Sequence, residues 1–78
     1  MIKNSLERPT VFSVRCPVCG ELTIYEEGES EVCDVCDWED DPIQRSLPEL
    51  AGWGNVMSLN EAREYWRKNK KPIPISGI

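Results

Sequence analysis

All four cysteines of this 78-residue chain fall in two C-x-x-C pairs, Cys16-Pro17-Val18-Cys19 and Cys33-Asp34-Val35-Cys36, with thirteen residues between them. The chemistry this spacing supports is metal binding. Two residues between cysteines let a tight turn aim both sulfurs the same way, and two such turns present four thiolates to one tetrahedral ion. Zn²⁺ suits that geometry, with Zn–S bonds of about 2.3 Å. Pro17 stiffens the first turn, and Gly20 supplies a residue that tolerates positive φ just after its second cysteine. The expected ligands of a single structural Zn²⁺ are therefore Cys16, Cys19, Cys33 and Cys36.

Other uses of the same thiols stay open at this point. Two disulfides would suit an oxidising compartment, but Met1–Thr10 carries no apolar signal segment, so a cytoplasmic, reducing location is expected. A thioredoxin-like pair belongs beside a βαβ pattern, for which the chain is short. A rubredoxin-like iron electron carrier would use the same four thiolates. A closed four-cysteine shell leaves no coordination position for a substrate, and the chain has no histidine. No enzymatic activity is expected.

Charge narrows the partners. The chain carries a net charge of −5, with residues 1–50 at −8 and residues 51–78 at +3. Ten carboxylates and no basic side chain lie between Arg15 and Arg45. Such a surface repels phosphate backbones and attracts a basic protein. Trp38, Glu39, Asp40 and Asp41 are the candidate partner-binding residues, because tryptophan is enriched at interface hot spots. The plainer reading of Glu39-Asp40-Asp41 is a solvated helix start, and of Trp38 and Trp53 a share of the core. Arg63, Arg67, Lys68, Lys70 and Lys71 are the alternative contact, for nucleic acid. Their plainer role is to complement a helix C-terminus.

The elements that must position these groups are short. Residues 1–9 read as a polar lead-in. Thr10–Arg15 is β-branched and aromatic, and Glu21–Glu26 alternates polar with apolar, so both read as strands around the first cysteine pair, with Glu27–Ser30 as a turn. Asp40-Asp41-Pro42 is a helix-start signal, with Pro42 at the first helical position. Residues 43–57 read as an ordered loop packing Leu47, Leu50, Trp53, Val56 and Met57 inward. Ser58-Leu59-Asn60-Glu61 is a capping box opening a helix over 58–70, whose stripe is Leu59, Ala62 and Trp66 with Tyr65 beside it. Residues 71–78 are an extended tail. The expected fold is one small α+β zinc-ribbon-like domain, in which a short β-hairpin sheet with two zinc knuckles precedes a C-terminal α-helix. A core this size is marginal without a staple, and a structural metal supplies one. No apolar run is long enough to span a membrane.

Cys16–Gly20, Cys33–Pro42 with its W-E-D-D stretch, and Val56–Arg63 with S-L-N-E-A-R occur here in an order that resembles the bacterial cysteine-rich CPCC family, over roughly residues 16–67. In that family the first knuckle reads C-P-C-C, and Val18 stands here at the inner cysteine. The resemblance implies a small zinc-ribbon-like protein with no established enzymatic activity. It also implies a connection to genes beside polymorphic toxins. The expected function is thus an acidic protein-binding module, in its most concrete form an immunity protein that blocks a basic toxin nuclease.

Overall fold

The computed structural model describes residues 11–74. The polar lead-in 1–9 and the end of the tail, 75–78, lie outside the described residues. The element order is β1 (Val14–Arg15), β2 (Leu22–Ile24), α1 (Pro42–Ser46) and α2 (Leu59–Asn69). β1 and β2 form a two-stranded antiparallel sheet with Val14 opposite Ile24 and Arg15 opposite Leu22, irregular between Val14 and Arg15.

Both strands are shorter than the alternation suggested, because their backbone groups are claimed elsewhere. The Cys16 N–H already donates to the Glu21 carbonyl at 2.8 Å to close the first knuckle. Beyond Ile24, the Tyr25 and Glu26 N–H groups donate to the two Glu31 carboxylate oxygens, each at 2.8 Å, rather than to a neighbouring strand. Val11 is exposed, and Phe12 stacks on Tyr25 with ring centroids 4.5 Å apart.

The core gathers around the cysteines. Ile24, Trp38, Leu59, Ala62 and Ile73 pack with Cys16, Val18, Cys33 and Cys36, and Tyr65 and Trp66 cover the cluster from α2. The helix stripe therefore faces the cysteine lobe. Ser58 caps α2 by accepting from the Glu61 N–H at 3.1 Å, while the Glu61 carboxylate accepts from the Ser58 N–H at 2.8 Å. At the other end Lys70 adopts a left-handed conformation, φ 52°, and its N–H donates to the Trp66 carbonyl.

The segment 43–57 departs from its expected packing. It opens with α1, whose Pro42 sits at the helix start under an Asp41 cap. Its large apolar side chains point outward: Leu47 is 55% exposed, Trp53 58% and Val56 41%. Only Leu50 and Met57 are half-buried. What holds the segment is polar. Gln44 is fully buried and its Nε2 donates to the carbonyls of Leu50 (2.9 Å), Met57 (3.0 Å) and Asn55 (3.2 Å). Its Oε1 accepts from the Asn55 backbone N–H and from Asn55 Nδ2, each at 2.9 Å. Asn55 in turn pairs with both backbone groups of Glu39, Nδ2 donating to the carbonyl and Oδ1 accepting from the N–H, each at 2.8 Å. These are the two groups that Glu39 turns away from its bridge partner Val32. The Asn55 amide therefore continues a ladder that the chain does not supply with a strand. Apolar side chains are left outside because amides already satisfy the backbone inside.

Candidate metal centre

Each C-x-x-C pair builds the same turn. In the first, the Gly20 N–H donates to the Cys16 carbonyl at 2.9 Å, with Gly20 at φ 81°. In the second, the Asp37 N–H donates to the Cys33 carbonyl at 2.8 Å, with Asp37 at φ 67°. The outer bond repeats too: Cys33 N–H to the Trp38 carbonyl at 2.8 Å matches Cys16 N–H to Glu21. Val18 and Val35 occupy equivalent positions, and their N–H groups point at Cys16 Sγ and Cys33 Sγ, each at 3.4 Å. Positive φ falls on glycine in one turn and on aspartate, which tolerates it better than most residues, in the other.

The two turns bring the four sulfurs together. All lie within 4.8 Å of one another. Cys16 Sγ is 3.5 Å from Cys36 Sγ, and Cys19 Sγ is 3.7 Å from Cys33 Sγ. A tetrahedral ion with metal–sulfur bonds of about 2.3 Å places its sulfurs about 3.8 Å apart. The donor set therefore fits a four-coordinate thiophilic metal. Thr23 Oγ1 donates to Cys33 Sγ at 3.0 Å, and with the two N–H groups it would offset the negative charge that four thiolates bring. Cys16, Cys33 and Cys36 are buried and Cys19 is half-buried. Four thiols confined this way do not ionise independently. The hydrogen bond from Cys36 holds the Cys16 thiol down at about 5, and burial pushes Cys19 up to about 12. Cys36 also moves up, chiefly because its proton is shared with Cys16.

Later parts of the chain close the centre. Arg63 Nε on α2 donates to the Pro17 carbonyl at 2.8 Å, and the Ile73 N–H donates to the Cys36 carbonyl at 2.9 Å with its side chain buried. Each knuckle is thus held by a residue far along the sequence.

A family profile described as Cysteine-rich CPCC matches residues 14–69. The chain belongs to the cysteine-rich CPCC family. Among curated proteins none matches it. In this CPCC protein the matched region contains both knuckles, both helices and the segment between them. Val18, standing at the family's inner knuckle cysteine, is buried in the core and donates its N–H to Cys16 Sγ.

Three of the four expected partner-binding residues are internal. Trp38 is fully buried and sits in the core. Asp40 is fully buried: one oxygen accepts from the Gly28 N–H at 2.8 Å and the other from Arg45 Nε at 2.9 Å. Asp41 is buried, accepting from the Ile43 N–H at 2.8 Å as a helix cap and from the Gly54 N–H at 2.8 Å. Only Glu39 keeps part of its surface. Each of these carboxylates answers backbone donors that turns and a helix start leave unpaired, which is why the W-E-D-D run lies inside rather than on a docking face. The acidic surface remains in Glu21, Glu26, Glu29 and Asp34, which are exposed, with Asp37 and Glu39 partly so. The polar hub of Gln44 and Asn55 was missed from sequence. Neither amide carries a sequence signal: Gln44 sits in the short α1, of which it is the one buried residue, and Asn55 follows Gly54.

Proposed function

We propose that this CPCC protein is a small zinc-stapled, zinc-ribbon-like module that binds a basic protein partner through its acidic lobe, without catalysis of its own. The carrying observation is a cluster of four cysteine sulfurs, three of them from buried residues, on a lobe with no basic residue between Arg15 and Arg45. Zinc is favoured over iron because it is the usual occupant of a closed four-cysteine shell that stabilises a small fold. A cytoplasmic immunity protein that blocks a toxin nuclease is the most concrete form of the module. Nucleases carry basic clefts for phosphate, and an acidic inhibitor gains steered association with such a cleft.

The nucleic-acid reading is weaker because the basic side chains of α2 are engaged. Arg63 holds Pro17, Arg67 and Lys68 pair with Glu64, and Lys70 lies 5.9 Å from the Trp66 ring centroid. Among the described residues no helix is long and apolar enough to cross a membrane.

Elemental analysis and salt-dependent association test this function together. The purified chain should carry one zinc and be colourless, and a basic nuclease encoded beside it should associate faster as ionic strength falls. A visible iron band would replace zinc with an electron carrier. Binding to nucleic acid in place of the nuclease would overturn the partner class.

A further inference from the structure

We propose that the exposed tongue Gly52–Asn55, with Trp53 at its tip and a hollow on either flank, is the docking face for a basic protein segment that carries an apolar side chain beside an arginine or lysine. This rests on the protein-binding function proposed above and fixes where on the molecule it is exercised.

The two hollows differ in character. On one side a groove of about 610 Å³ is lined by Ala51, Val56, Met57 and Tyr65, with Glu61, Glu64, Lys68 and Asn69 of α2 as its polar wall. On the other a cleft of about 350 Å³ is lined by Val32, Asp37, Glu39, Gly54 and Asn55. The tongue separates them, since Ala51 and Val56 line the first while Gly54 and Asn55 line the second. Trp53 is 58% exposed, and Val32 in the cleft wall is 57% exposed. An exposed tryptophan beside an apolar groove, in a chain that buries amides instead, is the surface feature that most needs a partner.

The tongue is built to hold that tryptophan outward. The Gly54 N–H is fixed by Asp41, the Asn55 side chain by Glu39 and Gln44, and the Gly52 N–H by the carbonyls of Asn55 (3.1 Å) and Val56 (3.2 Å). A preordered anchor loses little freedom on binding. Charge chooses the occupant. Among the described residues neither Asp37 nor Glu39 has a cationic partner. A guanidinium or ammonium entering the cleft would meet both carboxylates and lay its aliphatic stem on Val32, beside the Gly54 backbone next to Trp53. A second copy of a chain with net charge −5 is the wrong partner for this cleft.

The test uses the full, zinc-loaded chain, ¹⁵N-labelled, and four synthetic amphipathic peptides. One alternates leucine faces with arginines, one has glutamine for arginine, one has glutamate for arginine, and one keeps arginine with serine for leucine. The arginine–leucine peptide should shift the Val32, Glu39 and Val56 amides and the Trp53 indole, and the other three should bind less tightly. Trp53→Ala should weaken that binding by at least about tenfold, and Trp53→Phe by less. Asp37→Asn with Glu39→Gln should weaken it and flatten its salt dependence, asparagine being chosen because it keeps the left-handed turn. Unchanged urea midpoints would show that these variants remain folded. Shifts confined to Glu21–Glu29 would overturn the face while leaving a basic-partner module standing. Binding of the glutamine and glutamate peptides as tight as that of the arginine–leucine peptide would overturn the face and the basic-partner function with it. Dimerisation that is abolished by Trp53→Ala would overturn the occupant.

Discussion

Replacing Gln44 by alanine should disconnect the segment after α1 from the rest of the fold. The side chain is fully buried and its capacity is filled: two Nε2 protons are shared among three carbonyls, and Oε1 accepts two donors from Asn55. Alanine leaves the Leu50 and Met57 carbonyls and the Asn55 backbone N–H without partners and takes one of two acceptors from Asn55 Nδ2, while the Asn55 carbonyl keeps the Gly52 N–H. A buried polar group left unpaired costs about 1–3 kcal/mol, and the less buried of these groups, at Leu50 and Met57, can recover water. The expected loss is therefore about 3–5 kcal/mol. A chain of this length has on the order of 4–12 kcal/mol to lose. The assay is a urea titration of the metal-loaded variant followed by tryptophan fluorescence, with amide exchange read at Glu39 and Asn55, the two N–H groups that the amides hold. Exchange there should accelerate while metal content stays at the wild-type level, because Gln44 makes its hydrogen bonds to Leu50, Asn55 and Met57 and none to a cysteine. Gln44→Glu is the control: it keeps an acceptor for Asn55 but turns a carboxylate toward three carbonyls, so it should be no more stable than alanine. A loss below about 1 kcal/mol, with Asn55 still protected, would refute the hub.

Ser58→Ala should destabilise α2 by about 0.5–2 kcal/mol, since it frees the Glu61 N–H, and circular dichroism with a urea melt checks it. Asp41→Ala should cost a similar cap energy, about 0.5–2 kcal/mol, and more through the freed Gly54 N–H, so a two-fold or smaller change in folding equilibrium would contradict the buried assignment. In Gly54→Ala the new Cβ would lie 2.6 Å from Glu39 Oε2 and 2.8 Å from Asp41 Oδ2, so the Glu39 side chain should swing away and the tongue amides should shift in NMR spectra. Chelation should unfold the cysteine lobe, and acid should do the same: thiolate ligands bind protons as pH falls, so metal affinity and the stability tied to it drop toward low pH. Metal release followed by a chromogenic chelator across pH checks the sign, and a pH-independent affinity would refute thiolate ligation.

The cysteine centre was legible because its signal is local. Two residues between thiols, and Gly20 after the first pair, are properties of five consecutive residues, and both turns bring their sulfurs together; the left-handed Asp37 after the second pair was not read from sequence. The capping box of α2 was equally local, and so was the Asp41–Pro42 start of α1. The error lay where a residue's role depends on distant backbone. Asp40 and Asp41 look like solvated acids until Gly28 and Gly54 present bare N–H groups to them. Trp38 reads equally well as anchor or core until α2 closes over the cysteines. The apolar residues of 43–57 were assigned inward because hydrophobicity is the usual guide, whereas Gln44 and Asn55 hold that segment through groups that no periodicity records.

The hydrogen bond from Ile73 to Cys36 bears on how the protein comes off the ribosome. Both knuckles close through bonds among their own few residues, so each can take shape as soon as it emerges. The strap that covers the second knuckle follows later, roughly 2–7 s after Cys36 at ordinary synthesis rates. During that interval the knuckles stand without the bonds that later brace them. Ile73 then bonds the Cys36 carbonyl and Arg63 the Pro17 carbonyl, one brace on each knuckle. A metal arriving early would thus meet knuckles already turned and not yet braced, so the order of residues along the chain separates the shaping of the site from its reinforcement.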